Sequence, residues 1–227
     1  TLERAKAEKE IADARKKIKD GEQEIIDNEI KLETETTNAK AELDKAQADL
    51  EAGLVQWRTE KNNFDTVTKP GLISQRTDLE NKLSPLLTAK TGLDQVNAAL
   101  SSLNQNKTER KAYLATLNPS DPAYTETANQ ILLVEQGIAQ AEANKNIILT
   151  ELAKYSLDES TLGPTIDQLQ SGISQITAGI TEGESKLAAA KTQLDSGFTQ
   201  VYNGQVELET TKADALTKIA DAKVELA

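Results

Sequence analysis

Between Ile166 and Leu226, apolar or small residues recur at alternating intervals of three and four. The run is Ile166, Leu169, Ile173, Ile176, Ile180, Gly183, Leu187, Ala190, Leu194, Gly197, Val201, Gly204, Leu208, Thr211 and Ala215, continuing through Ile219, Ala222 and Leu226. This is the heptad spacing of a coiled-coil seam. Sustained over so many heptads, it predicts one long helix lying against a partner helix. One core position of each heptad stays large while the other drifts to Gly or Ala, which lets two antiparallel backbones approach closely. A glycine inside a helix costs up to about 1 kcal/mol relative to alanine, so the interior glycines either serve close packing, the favoured reading, or mark local flexibility. Asn203-Gly204 is also a hairpin signal, but the heptad runs through it unbroken and no neighbouring strand exists to form a sheet, so helix is the reading there.

A second seam opens the chain. Ile11, Ile18, Ile25, Leu32 and Ala39 fall every seven residues, with Ala14 and Gly21 between them. The partner positions turn polar at Asn28 and Glu35, and the seam resumes as Ala39, Leu43, Ala46, Leu50, Gly53, Trp57, Phe64 and Val67. The change of phase predicts a stutter near Glu35. Lys69-Pro70-Gly71 then predicts a helix end, since proline lacks the amide hydrogen and restricts the residue before it. A helix over 2–67 would be about 95 Å long.

Ser84-Pro85 suits the start of a middle helix carrying Leu86, Ala89, Leu93, Val96, Leu100, Leu103, Leu114 and Leu117. Asn118-Pro119-Ser120-Asp121-Pro122 is a turn. A further helix runs from Pro122 through Tyr124, Ala128, Ile131, Val134, Ile138, Ala141, Ile148, Leu152 and Tyr155, until Ser156–Pro164 breaks it. The expected fold is all-α, an elongated antiparallel coiled-coil hairpin. Residues 1–67 and 164–227 form the stalk. Residues 68–85 and 156–163 form a joint, with a short helix around Leu72, Leu79 and Leu83. Residues 86–155 form a distal hairpin with its tip at 118–122. Extension is favoured over a fold-back into a four-helix bundle, because narrow seams leave little apolar surface to bury.

Aromatic residues make up only 3% of the chain, too few for an ordinary globular core. There is no Cys and no His, which removes disulfides, thiolate and histidine metal sites, and Ser-His-Asp or Cys-His catalysis. A net charge of −11 disfavours nucleic acid and anionic lipid as partners. No apolar run is long enough to span a membrane. The chain opens on Thr1-Leu2-Glu3 and closes on Glu225-Leu226-Ala227 in mid-pattern, as if cut from something longer. Gly179-Ile-Thr-Glu-Gly183 lacks the Lys-Ser/Thr of a phosphate loop, and both glycines are expected on the seam. Asp20, Glu24 and Asp27 read as a solvated face, with no calcium-loop pattern. Asn106-Lys107-Thr108 is a chance sequon. The expectation is a chain that is not an enzyme and holds no cofactor or metal. Trp57 and Phe64 are expected to pack in the seam. Tyr113, Leu117, Pro119, Pro122 and Tyr124 are the candidate partner contacts at the tip, with packing the favoured alternative for the two tyrosines.

The run Lys17-Ile-Lys-Asp-Gly-Glu-Gln-Glu-Ile25, followed by Ala41-Glu-Leu-Asp-Lys-Ala-Gln-Ala-Asp-Leu-Glu-Ala-Gly53, resembles the coiled-coil insert of FtsX-like ABC transporter permeases of Gram-positive bacteria. Gly183-Glu-Ser-Lys-Leu-Ala-Ala-Ala-Lys-Thr-Gln-Leu-Asp-Ser-Gly197 and Lys218-Ile-Ala-Asp-Ala-Lys-Val-Glu-Leu226 resemble its returning arm. The likeness covers both stalk arms and not residues 68–163. Phage-infection-protein-like and some RND-type membrane proteins carry similar glycine-punctuated heptads. The resemblance implies a domain on the extracellular side of the cell membrane, between the first and second transmembrane helices. It implies a cytosolic ATPase subunit acting through the parent permease, and a cell-envelope protein or component met at the tip. A receptor or adhesion stalk of the phage-infection-protein kind and a cytosolic coiled-coil scaffold stay open beside it. So does a homodimer, because a seam that pairs within one chain can equally pair between two.

Overall fold

The computed structural model describes residues 2–226. The fold is all-α and hairpin-like, and no strand occurs among the described residues. Helix α1 is Leu2–Asn63, followed without a break by a π-helical turn, Phe64–Thr68, and by α2, Lys69–Leu114. Helix α3 is Pro122–Ala153 and α4 is Glu159–Leu226. The chain divides into two compact units: one of α1 to Phe64 with α4 from Gly183, the other Asp65–Glu182.

In the first unit α1 and α4 pair antiparallel in a fixed register. Side chains of Leu43, Leu50 and Phe64 lie where a Cβ on Gly204, Gly197 and Gly183 would stand, at 2.8, 2.5 and 2.3 Å from it. Seven residues forward on α1, from Leu43 to Leu50, are seven back on α4, from Gly204 to Gly197. The knobs also point the other way, with Leu194 over Gly53 and Leu226 over Gly21. Asn203-Gly204 is helical throughout. The glycines are thus receptor positions for large side chains, a knob-into-hole exchange in which the hole is backbone. Trp57 and Phe64 pack in this seam as expected, and the Trp57 indole N–H donates to the Leu187 carbonyl at 2.8 Å. Gly179 departs from expectation: it is exposed, and its Cβ would meet nothing within 4 Å.

The phase change in α1 comes earlier than Glu35. Shielded positions run Gly21, Ile25, Glu29, Leu32, Thr36, Ala39 and Leu43, so two successive steps of four fall at Ile25. Thr36 holds a seam position because its hydroxyl donates back to the Leu32 carbonyl at 2.6 Å, leaving its methyl to pack. The Glu29 carboxylate reaches Lys223 at 2.6 Å. Ile11 and Ile18 stay exposed, at 54% and 44%. Among the described residues, α4's seam closes with Leu226 over Gly21.

The expected helix end at Lys69-Pro70-Gly71 does not occur. The Pro70 ring would crowd the carbonyl four residues back in an α-helix. The π turn ending at Thr68 widens the backbone just ahead of it, and the helix continues. The segment around Leu72, Leu79 and Leu83 is therefore part of α2, which also carries Pro85 in its interior.

In the second unit α2 has two successive partners. Leu103 lies over Gly137 and Ile148 over Gly92, both joining α2 to α3, while Leu79 lies over Gly172 of α4. Where α3 ends and α4 begins, Leu86, Leu93, Leu152, Leu162 and Ile166 form the core cluster. The connection is shorter than the expected break. Ser156 adopts φ 57°, its N–H donates to Ala153 O at 2.9 Å, and the Leu157 N–H donates to Leu152 O at 3.2 Å. This is the paired bonding of a Schellman cap, with Leu157 packed on the cluster that contains Leu152. A serine there bears the left-handed strain that glycine avoids. Ser156→Gly is expected to raise stability by about 1 kcal/mol, read as a later urea midpoint; an unchanged midpoint would show that the left-handed turn carries no strain.

Asp158 then starts α4. Its carboxylate accepts from Thr161 N at 2.8 Å and Ser160 N at 2.9 Å, and its own N–H donates to Thr161 Oγ1 at 2.9 Å, a reciprocal capping box. The Ser160 hydroxyl, then the Thr161 amide and hydroxyl, hold the Asp158 carboxyl down at about 2. A depressed carboxyl stabilises the fold fully above its ordinary value of 3.8, and that contribution fades as pH falls toward about 2. Asp158→Asn keeps a good cap and removes the titration. Melting curves between neutral pH and pH 2 are expected to show a shallower acid slope for the variant, and identical slopes would deny the cap its ionic character. Tyr155, expected on the α3 seam, is 58% exposed because the cap turns the chain away.

Candidate functional site

The tip is closed by local hydrogen bonds. Asn118 Oδ1 accepts from Ser120 N at 3.0 Å, Asn118 O accepts from Asp121 N at 2.9 Å, and Asp121 Oδ1 accepts from Ala123 N at 2.9 Å. Pro122 occupies the first turn of α3, where a missing N–H costs nothing. On this frame Tyr113, Pro119 and Pro122 are exposed, while Leu117 and Tyr124 are half-buried. The five candidate contacts thus divide into three surface groups and two that also pack. Just below, Thr127 is buried, Arg110 donates to Gln130, and Lys107 and Lys111 meet Glu135 at 2.9 and 3.5 Å. The hydrogen bond from Lys107 and its charge hold the Glu135 carboxyl below its usual value. These ties fix the two helices beneath the turn, so the tip presents a tyrosine and two prolines on a held base.

A three-helix polar knot lies further along the second unit. Lys145 Nζ reaches Glu159 Oε2 at 2.8 Å and Asn97 Oδ1 at 2.9 Å, and Asn97 Nδ2 donates to Glu159 Oε1 at 2.6 Å. The hydrogen bond from Lys145 leads in lowering the Glu159 carboxyl, with Asn97 second. One residue comes from each of α2, α3 and α4, so the knot pins the crossing where α4 takes over from α3. Sequence reasoning missed it, since nothing local links positions 97, 145 and 159. The one available signal was that Lys145 is the sole basic residue of α3.

In the first unit the phase change leaves a shallow groove lined by Ile25, Asn28, Leu32, Ala215, Ile219 and Ala222. Among the described residues no group of three or more His, Cys, Asp or Glu side chains is placed to hold a metal ion, and no helix is long and apolar enough to cross a membrane. The tip and the knot offer hydrogen-bonding and packing groups, with Lys145 and Glu159 engaged in an ion pair and the Asp121 carboxylate in a helix cap. Comparison with family models, curated proteins and solved structures gave no match to this chain.

Proposed function

We propose that the chain is a non-catalytic, extracytoplasmic coiled-coil domain of a bacterial FtsX-like ABC transporter permease, relaying or sensing conformational change between membrane helices and a cell-envelope partner at its tip. The observation that carries the reading is the locked register of α1 on α4. Sliding one arm by a residue would lift Leu43, Leu50 and Phe64 off Gly204, Gly197 and Gly183 together. A pair of arms held this way transmits displacement instead of absorbing it. Leu226 over Gly21 carries the same register to the last described turn of α4. The cytosolic ATPase subunit would act through the parent permease.

The test uses the absence of native Cys from the chain. Ala188→Cys, at an exposed position, is placed in the parent protein in its own cells and treated with a membrane-impermeant maleimide. Labelling in intact cells is the expected result. Labelling only after permeabilisation would place the domain on the cytosolic side and defeat the proposal.

A further inference from the structure

Charged residues make up 28% of the chain, yet between positions 129 and 147 one face of α3 carries none. Around Gln140, the exposed Asn129, Leu133, Gln136, Ala143 and Ile147 form a solvent face without a formal charge. Leu133 is 67% exposed and Ile147 63%. Single exposed apolar residues are ordinary, but these two lie on a row with helical meaning. Glu126, Leu133, Gln140, Ile147 and Lys154 are each seven residues apart, and all five are exposed. They form a second heptad row, on the side of α3 away from the packed Ile131, Ile138 and Ala141.

We propose that this face pairs with the same face of a second copy of the chain, antiparallel across a two-fold axis at Gln140. Leu133 of each copy then meets Ile147 of the other, Gln140 meets Gln140, and Glu126 meets Lys154 at both ends. The order acid, leucine, glutamine, isoleucine, base is what a two-fold demands, because the row read backward complements the row read forward. A parallel pairing would set Glu126 against Glu126 and Lys154 against Lys154. Lys154 already holds Glu151 at 2.6 Å, and an ammonium with three donors can serve a second carboxylate. Glu126 has only a 3.4 Å bond from Gln130. The net charge of −11 repels copies over most of their surface, so an uncharged face is the favoured place for them to meet. The central glutamine pair would set register, as a polar core residue does in coiled coils. One helix face buries less than the ~800 Å² per partner of a standard interface, so the association is weak and reversible. The inference concerns the second unit alone and does not depend on the function proposed above.

Sedimentation equilibrium of the whole chain up to about 1 mM, where weak association is populated, is expected to show a monomer–dimer equilibrium. Leu133→Lys is expected to weaken it by about tenfold or more. Adding Ile147→Glu to Leu133→Lys is expected to restore it, since the new lysine then faces the new glutamate across the axis. Gln140→Cys is expected to give a disulfide-linked dimer on oxidation, and Thr210→Cys, exposed on α4, is not. A chain that stays monomeric over that range, or a dimer indifferent to Leu133→Lys, overturns the proposal. So does a double variant no better than the single one.

Discussion

Replacing Leu152 by alanine is expected to cost about 2–5 kcal/mol, the range for truncating a fully buried leucine whose surroundings relax only in part. Leu152 is 1% exposed, the most buried large side chain among the described residues. It packs with Leu86 and Leu93 of α2 and with Leu162 and Ile166 of α4. The cluster lies where α3 hands its place beside α2 to α4. The truncation therefore removes contacts to two other helices at once, and the Schellman cap keeps Leu157 from moving in to fill the void. Chemical denaturation followed by far-ultraviolet circular dichroism measures the loss. Hydrogen exchange should localise it to amides near 86–93, 149–153 and 162–166. A change under about 0.5 kcal/mol, the range of a surface substitution, would mean that the handover is not held by this core.

Much of this was legible in the heptads. The α4 seam from Ile166 to Leu226 coincides with the shielded positions, Thr211 excepted, because in a two-helix unit the seam is nearly the whole core and periodicity reports it directly. The tip at 118–122 was legible too, since Asn, Asp and Pro impose their turn through local bonds. Two kinds of feature were not. Polar residues that serve the seam, Thr36 by satisfying its hydroxyl on its own helix and Glu29 by reaching Lys223, look like interruptions when judged by residue type. That displaced the expected stutter. Proline at position 70 looks like a stop because the α-helix is taken as the sole alternative to a loop, whereas one π turn accommodates the ring. Of the candidate site, the tip residues followed from the turn. The knot of Asn97, Lys145 and Glu159 did not, because it exists only once three helices have met.

Two glycines four residues apart on α4 should respond oppositely to the same change. Gly179 is exposed with open space around its Cβ position. Gly179→Ala therefore gains helix propensity and nothing else, and is expected to stabilise by about 0.5–1 kcal/mol. At Gly183 a Cβ would stand 2.3 Å from Phe64 Cε2 and 2.7 Å from Cζ. The aromatic ring cannot fold aside as a leucine methyl can over Gly197; it must leave the layer, taking its buried surface with it. The propensity gain is then outweighed, and Gly183→Ala is expected to destabilise by about 1–3 kcal/mol, the cost of overpacking a tight core. Phe64→Leu in the Gly183→Ala background should recover part of the loss, which ties the penalty to the ring. Urea midpoints of the three variants decide the matter. If both alanine variants stabilise, the ring has room to yield, and Gly183 is then a helix weakness instead of the hole that fixes α1 against α4. The register would then rest on leucines alone, Leu43, Leu50, Leu194 and Leu226, whose flexible ends tolerate a shift, and the stiffness that the proposed relay requires would go with it.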